Sequence, residues 1–244
     1  MSALHTFLLG LINRRKQRVH ERGQSMVEMA LSLPILLLIM VGTLEVGWYY
    51  NTYLTLVDAT REAARYAADG EIALVDGTGT YANCDADFYY QAACLLKQNM
   101  FGVTFNEDED DIIVSAVTVN TDGEVLWRYP LDCAGTIPPD GYGYYRLCDS
   151  IVINSDQGWS YQAHKNHVPE SDSRVRSSLL PNAEVETRLP DSMPGSGLVI
   201  VEIYHVHRQL LGLIPPGLPF LPQEIVMHAY TIMPVPSAAP LLGP

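Results

Sequence analysis

The feature that most constrains this chain is an apolar run near its N-terminus, residues 27–46, reading VEMALSLPILLLIMVGTLEV. As a helix rising 1.5 Å per residue, such a run covers about 30 Å, the hydrocarbon thickness of a bilayer. It predicts a membrane-spanning helix over about 27–47. Arg14, Arg15, Lys16, Arg18 and Arg22 precede the run, and no Lys or Arg follows until Arg61. That asymmetry predicts a single-pass protein with residues 1–23 in the cytoplasm and the C-terminal mass outside. Trp48, Tyr49, Tyr50 and Tyr53 then supply an aromatic belt for the outer interface.

A secretory signal places small residues at a cleavage site just beyond its apolar stretch. Here that stretch reads GTLEVGWYY, with a charge and bulky aromatics, so the segment is expected to stay in the membrane. What stands before it is more distinctive. The basic leader ends in Arg22-Gly23-Gln24-Ser25-Met26-Val27-Glu28, which puts a carboxylate five residues beyond a glycine, at the mouth of the apolar run.

At these residues the sequence resembles prepilins, and more narrowly the TadE/TadF-like pseudopilins (minor pilins) of the tight-adherence (Tad) pilus and secretion system. The resemblance continues through Leu33-Pro34, through Gly42-Thr43-Leu44-Glu45-Val46-Gly47, and through the Ala/Arg-rich segment 59–67. It covers residues 22–69, and the terminal strands at 198–233 more loosely. It implies cleavage by a prepilin peptidase after Gly23, with Gln24 as the new N-terminus and Glu28 as the acid that guides helix assembly. It also implies a bacterial cytoplasmic (inner) membrane location, with other pilin subunits and the pilus assembly machinery as partners. Major pilins of this system usually carry tyrosine after the glutamate, and the pseudopilins often phenylalanine, whereas this chain has Met29. That departure and the chain length point away from a major subunit.

Glu28 also has readings that need no family. In the first turn of a helix beginning near Gln24, its carboxylate interacts favourably with the helix dipole, and in a bundle it can pair with a neighbour's N-terminal amine. Alternatively, Glu28 and Glu45 mark the two faces of the bilayer, being 17 residues, or about 26 Å, apart. Pro34 removes a backbone donor and is expected to loosen or kink the helix. Beyond the membrane, Tyr50, Tyr53, Val57, Thr60, Ala64 and Ala67 recur at helical spacing, a stripe that tapers from aromatic to small. The charged face carries Asp58, Arg61, Glu62, Arg65 and Asp69, and Gly70 is the expected stop.

Residues 70–233 read as a β-rich exported domain. A short helix is expected at about 88–100, and strands at 112–119, 124–129, 151–154, 198–207 and 224–233. Asn120-Thr121-Asp122-Gly123 signals a hairpin. Pro, Gly, Ser and Asp dominate between 130 and 197, suggesting long loops, and 234–244 reads as a mobile tail. The fold class expected is α+β: a long N-terminal transmembrane helix continuing into an exported domain with an antiparallel β-sheet, in the manner of pilins.

Charge narrows the partners. Of 15 Lys+Arg and 28 Asp+Glu, five basic residues and one acidic residue precede Gly23, leaving 10 against 27, a net charge near −17. Such a surface repels phosphate backbones, so no nucleic-acid partner is expected. Cys84, Cys94, Cys133 and Cys148 all follow the apolar run, where an exported domain meets oxidising conditions. Two disulfides are expected; four cysteines permit three pairings, of which the separations of 10 and 15 residues favour the sequence-local Cys84–Cys94 and Cys133–Cys148, with buried thiols and a metal site as the alternatives.

The acidic run 106–111 (NEDEDD) lacks the alternation, glycine and terminal glutamate of an EF-hand loop, and reads as a solvated turn. His164, His167, His205 and His207 form no metal-ligand pattern, so neither a metal nor a cofactor is expected. Hydrolase, zincin, P-loop and dinucleotide motifs are missing from the sequence, and no enzymatic activity is expected. The connection 210–222 is unusually apolar; through Leu213, Ile214, Leu218 and Phe220 it reads either as an interface loop or as a core cover. The competing functional class is a single-pass binding or adhesin module unrelated to a pilus.

Overall fold

The computed structural model describes residues 2–69, 88–129, 132–133, 151–152, 158–166, 168–169, 171–189, 196–209 and 224–235, with side chains in the first helix from Ser25 onward. Gly70, Cys84, Cys148, His167 and the loop residues Leu213, Ile214, Leu218 and Phe220 lie outside them, as do the side chain of Cys133 and residues 236–244, whereas Pro234 and Val235, expected in a mobile tail, pair with Leu198 and Gly197 at the end of the last strand. The chain divides into two compact units, one comprising Met1–Tyr49 and the other taking in Tyr50–Gln209 and the last strand.

The first unit is helix. α1 runs from Ser2 to Asp69, with Pro34 inside it and no interruption in its assignment there. Glu28 therefore sits inside the helix of the unprocessed chain. Between residues 25 and 40 every side chain is exposed.

In the second unit α1 meets the sheet domain. Its buried stripe is Thr52, Leu56, Ala59, Thr60, Ala63, Ala64, Ala67 and Ala68, spaced at three and four residues. This corrects the phase expected from sequence: Tyr50 is 59% exposed and Tyr53 37%, so the aromatics point away and the alanines define the packed face. Small side chains let the helix backbone lie close to a sheet. The Arg61–Asp58 pair stays in solvent, where it contributes little.

The remaining elements are α2 (Phe88–Asn99), β1 (Asp111–Val119), β2 (Val125–Tyr129), β3 (Asp132–Cys133), β4 (Ile151–Val152), β5 (Trp159–Ser160), α3 (Tyr161–His164), α4 (Asn182–Arg188), β6 (Ser196–Arg208) and β7 (Glu224–Val235). The main sheet is antiparallel in the order β2-β1-β6-β7, with β5 pairing the first half of β1 on the same edge as β2. β3 and β4 form a separate antiparallel ladder. The β1–β2 hairpin turns on Asn120, whose side-chain carbonyl accepts from the backbone of Asp122 and Glu124, while Gly123 takes φ 83°. A register shift follows between Thr118 and Val119, where Leu126 is the extra residue.

Both faces of β1 and β6 are buried. One face receives α1 through Thr60 and Thr231, and α2 packs against β1. On the other face Val117, Val119, Leu198 and Ile200 pack with Val125, Leu180 and Val185 in one core cluster.

Candidate functional site

Among the described residues, two places concentrate unusual chemistry. The first is α1. Gly23 and Gln24 lie within its backbone. Glu28 and Pro34 are exposed among apolar neighbours, whereas Glu45 and Trp48 are half-buried. Thr43 and Ser32 donate to the carbonyls of Ile39 and Met29, so both hydroxyls are satisfied within the helix, as an apolar surround requires. Among the described residues one helix, Ser25–Asp69, is long and apolar enough to cross a membrane.

The second is a polar layer on the sheet face opposite α1. Residues 176–180 cross the strands there and are held mainly through their backbone. Asp111 on β1 accepts from the Arg176 N–H at 2.9 Å, the Gln162 N–H at 3.1 Å, the Ser160 hydroxyl at 2.8 Å and its neighbour's amide. The Tyr204 hydroxyl on β6 donates to the Ser177 carbonyl at 2.7 Å. Glu202, also on β6, accepts from the Ser178 hydroxyl and from the Leu179 N–H at 3.1 Å. Arg128 on β2 donates to the Leu180 carbonyl at 2.6 Å and to the hydroxyls of Ser115 and Ser178.

Arg128 and Glu202 are both fully buried, 4.0 Å apart. Each is surrounded by hydrogen-bonding groups, which is what makes buried charge tolerable. Glu202 also contacts His228 Nε2 at 3.0 Å. The acid thus stands between Ser178 and His228; in a hydrolytic triad the histidine would stand between serine and acid. Gly158 lets the neighbouring segment approach β1, since a Cβ there would come 2.9 Å from the Val114 carbonyl and clash with Ser115 Oγ.

The acidic run 106–111 is a turn before β1 with Glu107 and Asp108 exposed, as the sequence suggested, but its last two acids are not solvated. Asp110 and Asp111 are completely buried. Asp110 accepts from the amides of Asn106 and Val206 and lies 2.8 Å from His205 Nδ1. Burial pushes the Asp111 carboxyl up to about 6, against the pull of its donors. Glu107 moves the other way, to about 2, chiefly because the Lys97 ammonium donates to it, with Tyr161 and Lys165 assisting. Lys97 also lies over the rings of Phe105 and Tyr161, at 4.8 and 4.7 Å. Burial, followed by the adjacent Glu107, raises the Tyr161 hydroxyl well above the ordinary phenol range.

Among the described residues no group of three or more His, Cys, Asp and Glu could hold a metal ion. Cys94 lies on α2, its Sγ 3.9 Å from Gln98 Nε2. The polar layer had no sequence signature, because its members are isolated charges within apolar strands. A hint lay in Arg128 and Glu202, each a charge inside a run of strand-forming residues.

Helix and sheet together define an α+β protein with a single N-terminal membrane-anchor candidate whose distal part packs into an antiparallel domain. Along that helix the chain carries a TadE-like segment: the family model described as TadE-like protein matches residues 23–65. No curated protein and no solved structure matches the chain.

Proposed function

We propose that this chain is a minor pilin (pseudopilin) of a tight-adherence, type IV-like pilus, a non-enzymatic subunit that aids pilus assembly and surface attachment. The observation that carries the reading is the position of the TadE-like match, 23–65, which starts at Gly23, takes in Glu28 and the apolar run, and ends on the stripe that packs under the sheet. A simple anchor needs only the apolar run.

On this reading a prepilin peptidase cuts after Gly23, and Gln24 becomes the N-terminus. Glu28 then lies in the first helical turn, where its carboxylate favours the positive end of the helix dipole and can set register against a neighbouring pilin helix. The N-terminal side lies in the cytoplasm of a bacterial inner membrane, and the sheet domain lies outside. Disulfides suit an oxidising exterior; the pairing Cys84–Cys94 and Cys133–Cys148 belongs to the proposal.

The test is replacement of residues 24–47 by an unrelated apolar helix of equal length, scored for membrane retention and for pilus formation. Retention with loss of pili supports the pilin reading. Normal pili with the foreign helix would leave only a membrane-anchored binding module.

A further inference from the structure

β7 ends one side of the main sheet, and its 12 residues pair with β6 from Glu224–Arg208 to Val235–Gly197 without a break in register. Among the described residues nothing hydrogen-bonds to the backbone of its outer edge. The opposite side of the sheet is built differently: β2 and β5 are short, and a register shift interrupts the β1–β2 pairing. Short strands, bulges, lysines and prolines are the usual guards of an open edge. β7 has no lysine or arginine, its only acid is Glu224, and its only proline is Pro234. Ile225, Val226 and Tyr230 lie exposed along it, on both faces of the strand.

One bond fixes which groups turn outward. Alternate residues of an antiparallel strand direct both N–H and C=O to opposite neighbours. Val206 on β6 gives its N–H to Asp110, on the side of β1, so the odd-numbered residues of β6 face β7. Their partners on β7 are odd-numbered too, as with His205 and Met227. The even-numbered residues of β7 therefore turn their N–H and C=O away from the sheet. Pro234 has this parity, so its missing N–H costs the ladder nothing. About 40 Å of backbone donors and acceptors stands open.

We propose that β7 is an acceptor strand, whose outer edge takes an extended, basic or uncharged segment of a partner protein into the sheet. Backbone hydrogen bonds supply the attachment, and Ile225, Val226 and Tyr230 supply apolar contacts on either face. Charge selects the segment: Glu224 and the excess of acid over base in the chain repel an acidic one. A second copy fits poorly. Antiparallel pairing of two β7 strands needs a two-fold axis perpendicular to the sheet, which turns α1, joined to β7 through Thr60 and Thr231, end for end. Two chains held in one membrane by that helix cannot meet so. Parallel pairing in register sets Glu224 beside its own copy. The inference stands apart from the pilin reading and from leader processing.

The experiment measures amide exchange at single residues by NMR in the detergent-solubilised full chain. Two twelve-residue peptides of alternating threonine and valine serve as probes, one with lysine at both ends and one with glutamate. Without a probe, the odd-numbered amides of β7 should be protected and those of Val226, His228, Tyr230 and Ile232 open. The lysine-ended peptide should slow the open four about tenfold, and the glutamate-ended peptide should slow them less. Val226→Pro deletes an outward N–H and spares the β6 ladder, so it should weaken the slowing at the other three, whereas Val226→Thr should leave it intact. No slowing by either peptide overturns the acceptor strand, and equal slowing by both overturns its charge selection. Even-numbered amides that are protected before any probe and released on dilution would give the edge to a second copy and overturn the partner.

Discussion

Thr60 Oγ1, on the buried stripe of α1, lies 3.1 Å from Thr231 Oγ1 on β7. Thr60 also donates to the Val57 carbonyl at 2.8 Å, which uses its single proton, so Thr231 is the donor across the helix–sheet junction. Thr60→Val should therefore strand the Thr231 hydroxyl and destabilise the domain by about 1–2 kcal/mol, while the Thr60→Val/Thr231→Val double variant recovers much of that loss. Urea unfolding of the four proteins of this cycle checks it; additive losses would mean the two hydroxyls are not coupled.

The alanine stripe makes a steric prediction. Ala64 is fully buried and Tyr53 is not, although the apolar pattern of the sequence assigned both to the same face. Ala64→Leu should cost about 1–3 kcal/mol by overpacking the junction. Tyr53→Leu should stay within about 0.5 kcal/mol. Thermal unfolding of the detergent-solubilised chain compares them, and a reversed order would restore the aromatic stripe.

Removing one partner of the buried Arg128–Glu202 pair should be more costly than either. Arg128→Met leaves Glu202 without its nearby cation and the Leu180 carbonyl without its donor, an expected loss of about 3–5 kcal/mol. Amide exchange should show the segment 176–180 losing protection first. Uniform loss across the sheet would argue against a discrete attachment of that segment.

Asp111 and Glu107 give opposite pH dependences. Asp111 rises from an ordinary 3.8 to about 6 on folding, so the folded domain binds that proton more tightly than the unfolded chain. Its contribution to stability therefore grows as pH falls from above 6 towards 4, by on the order of 1–3 kcal/mol. Glu107 is lowered from 4.5 to about 2, so its contribution is present above 4.5 and lost as pH falls towards 2; its half-exposed side chain keeps that effect small. Unfolding free energies at pH 7.5 and 5.0 should show wild type gaining relative to Asp111→Asn. An identical change in the two proteins would remove Asp111 from the account.

Much of this architecture was legible because it is written in periodicity. The apolar spacing of α1, the strand-forming runs of β6 and β7 and the Asn120–Gly123 turn each obey a local rule, and local rules survive without tertiary knowledge. The expected strands at 198–207 and 224–233 appear as Ser196–Arg208 and Glu224–Val235, longer at their ends where pairing extends them. The phase of the α1 stripe was misread because Tyr50 and Tyr53 count as apolar although they stay exposed, while the buried alanines carry little weight in a hydropathy pattern. Residues 158–189 were taken for loop because their attachment is polar. Asp111, Arg128 and Glu202 satisfy backbone groups of a segment far away in sequence, and nothing local in the chain announces that. For the same reason Asp110 and Asp111 looked like solvent-facing acids.

The central claim is that Gly23 ends a leader and Gln24 begins a pilin helix that carries Glu28. The most direct measurement is the N-terminal sequence and intact mass of the protein extracted from membranes of cells with an active prepilin peptidase. The account predicts a chain beginning at Gln24, with Gly23→Glu retaining residues 1–23. An intact leader on the wild-type protein in those cells would contradict it.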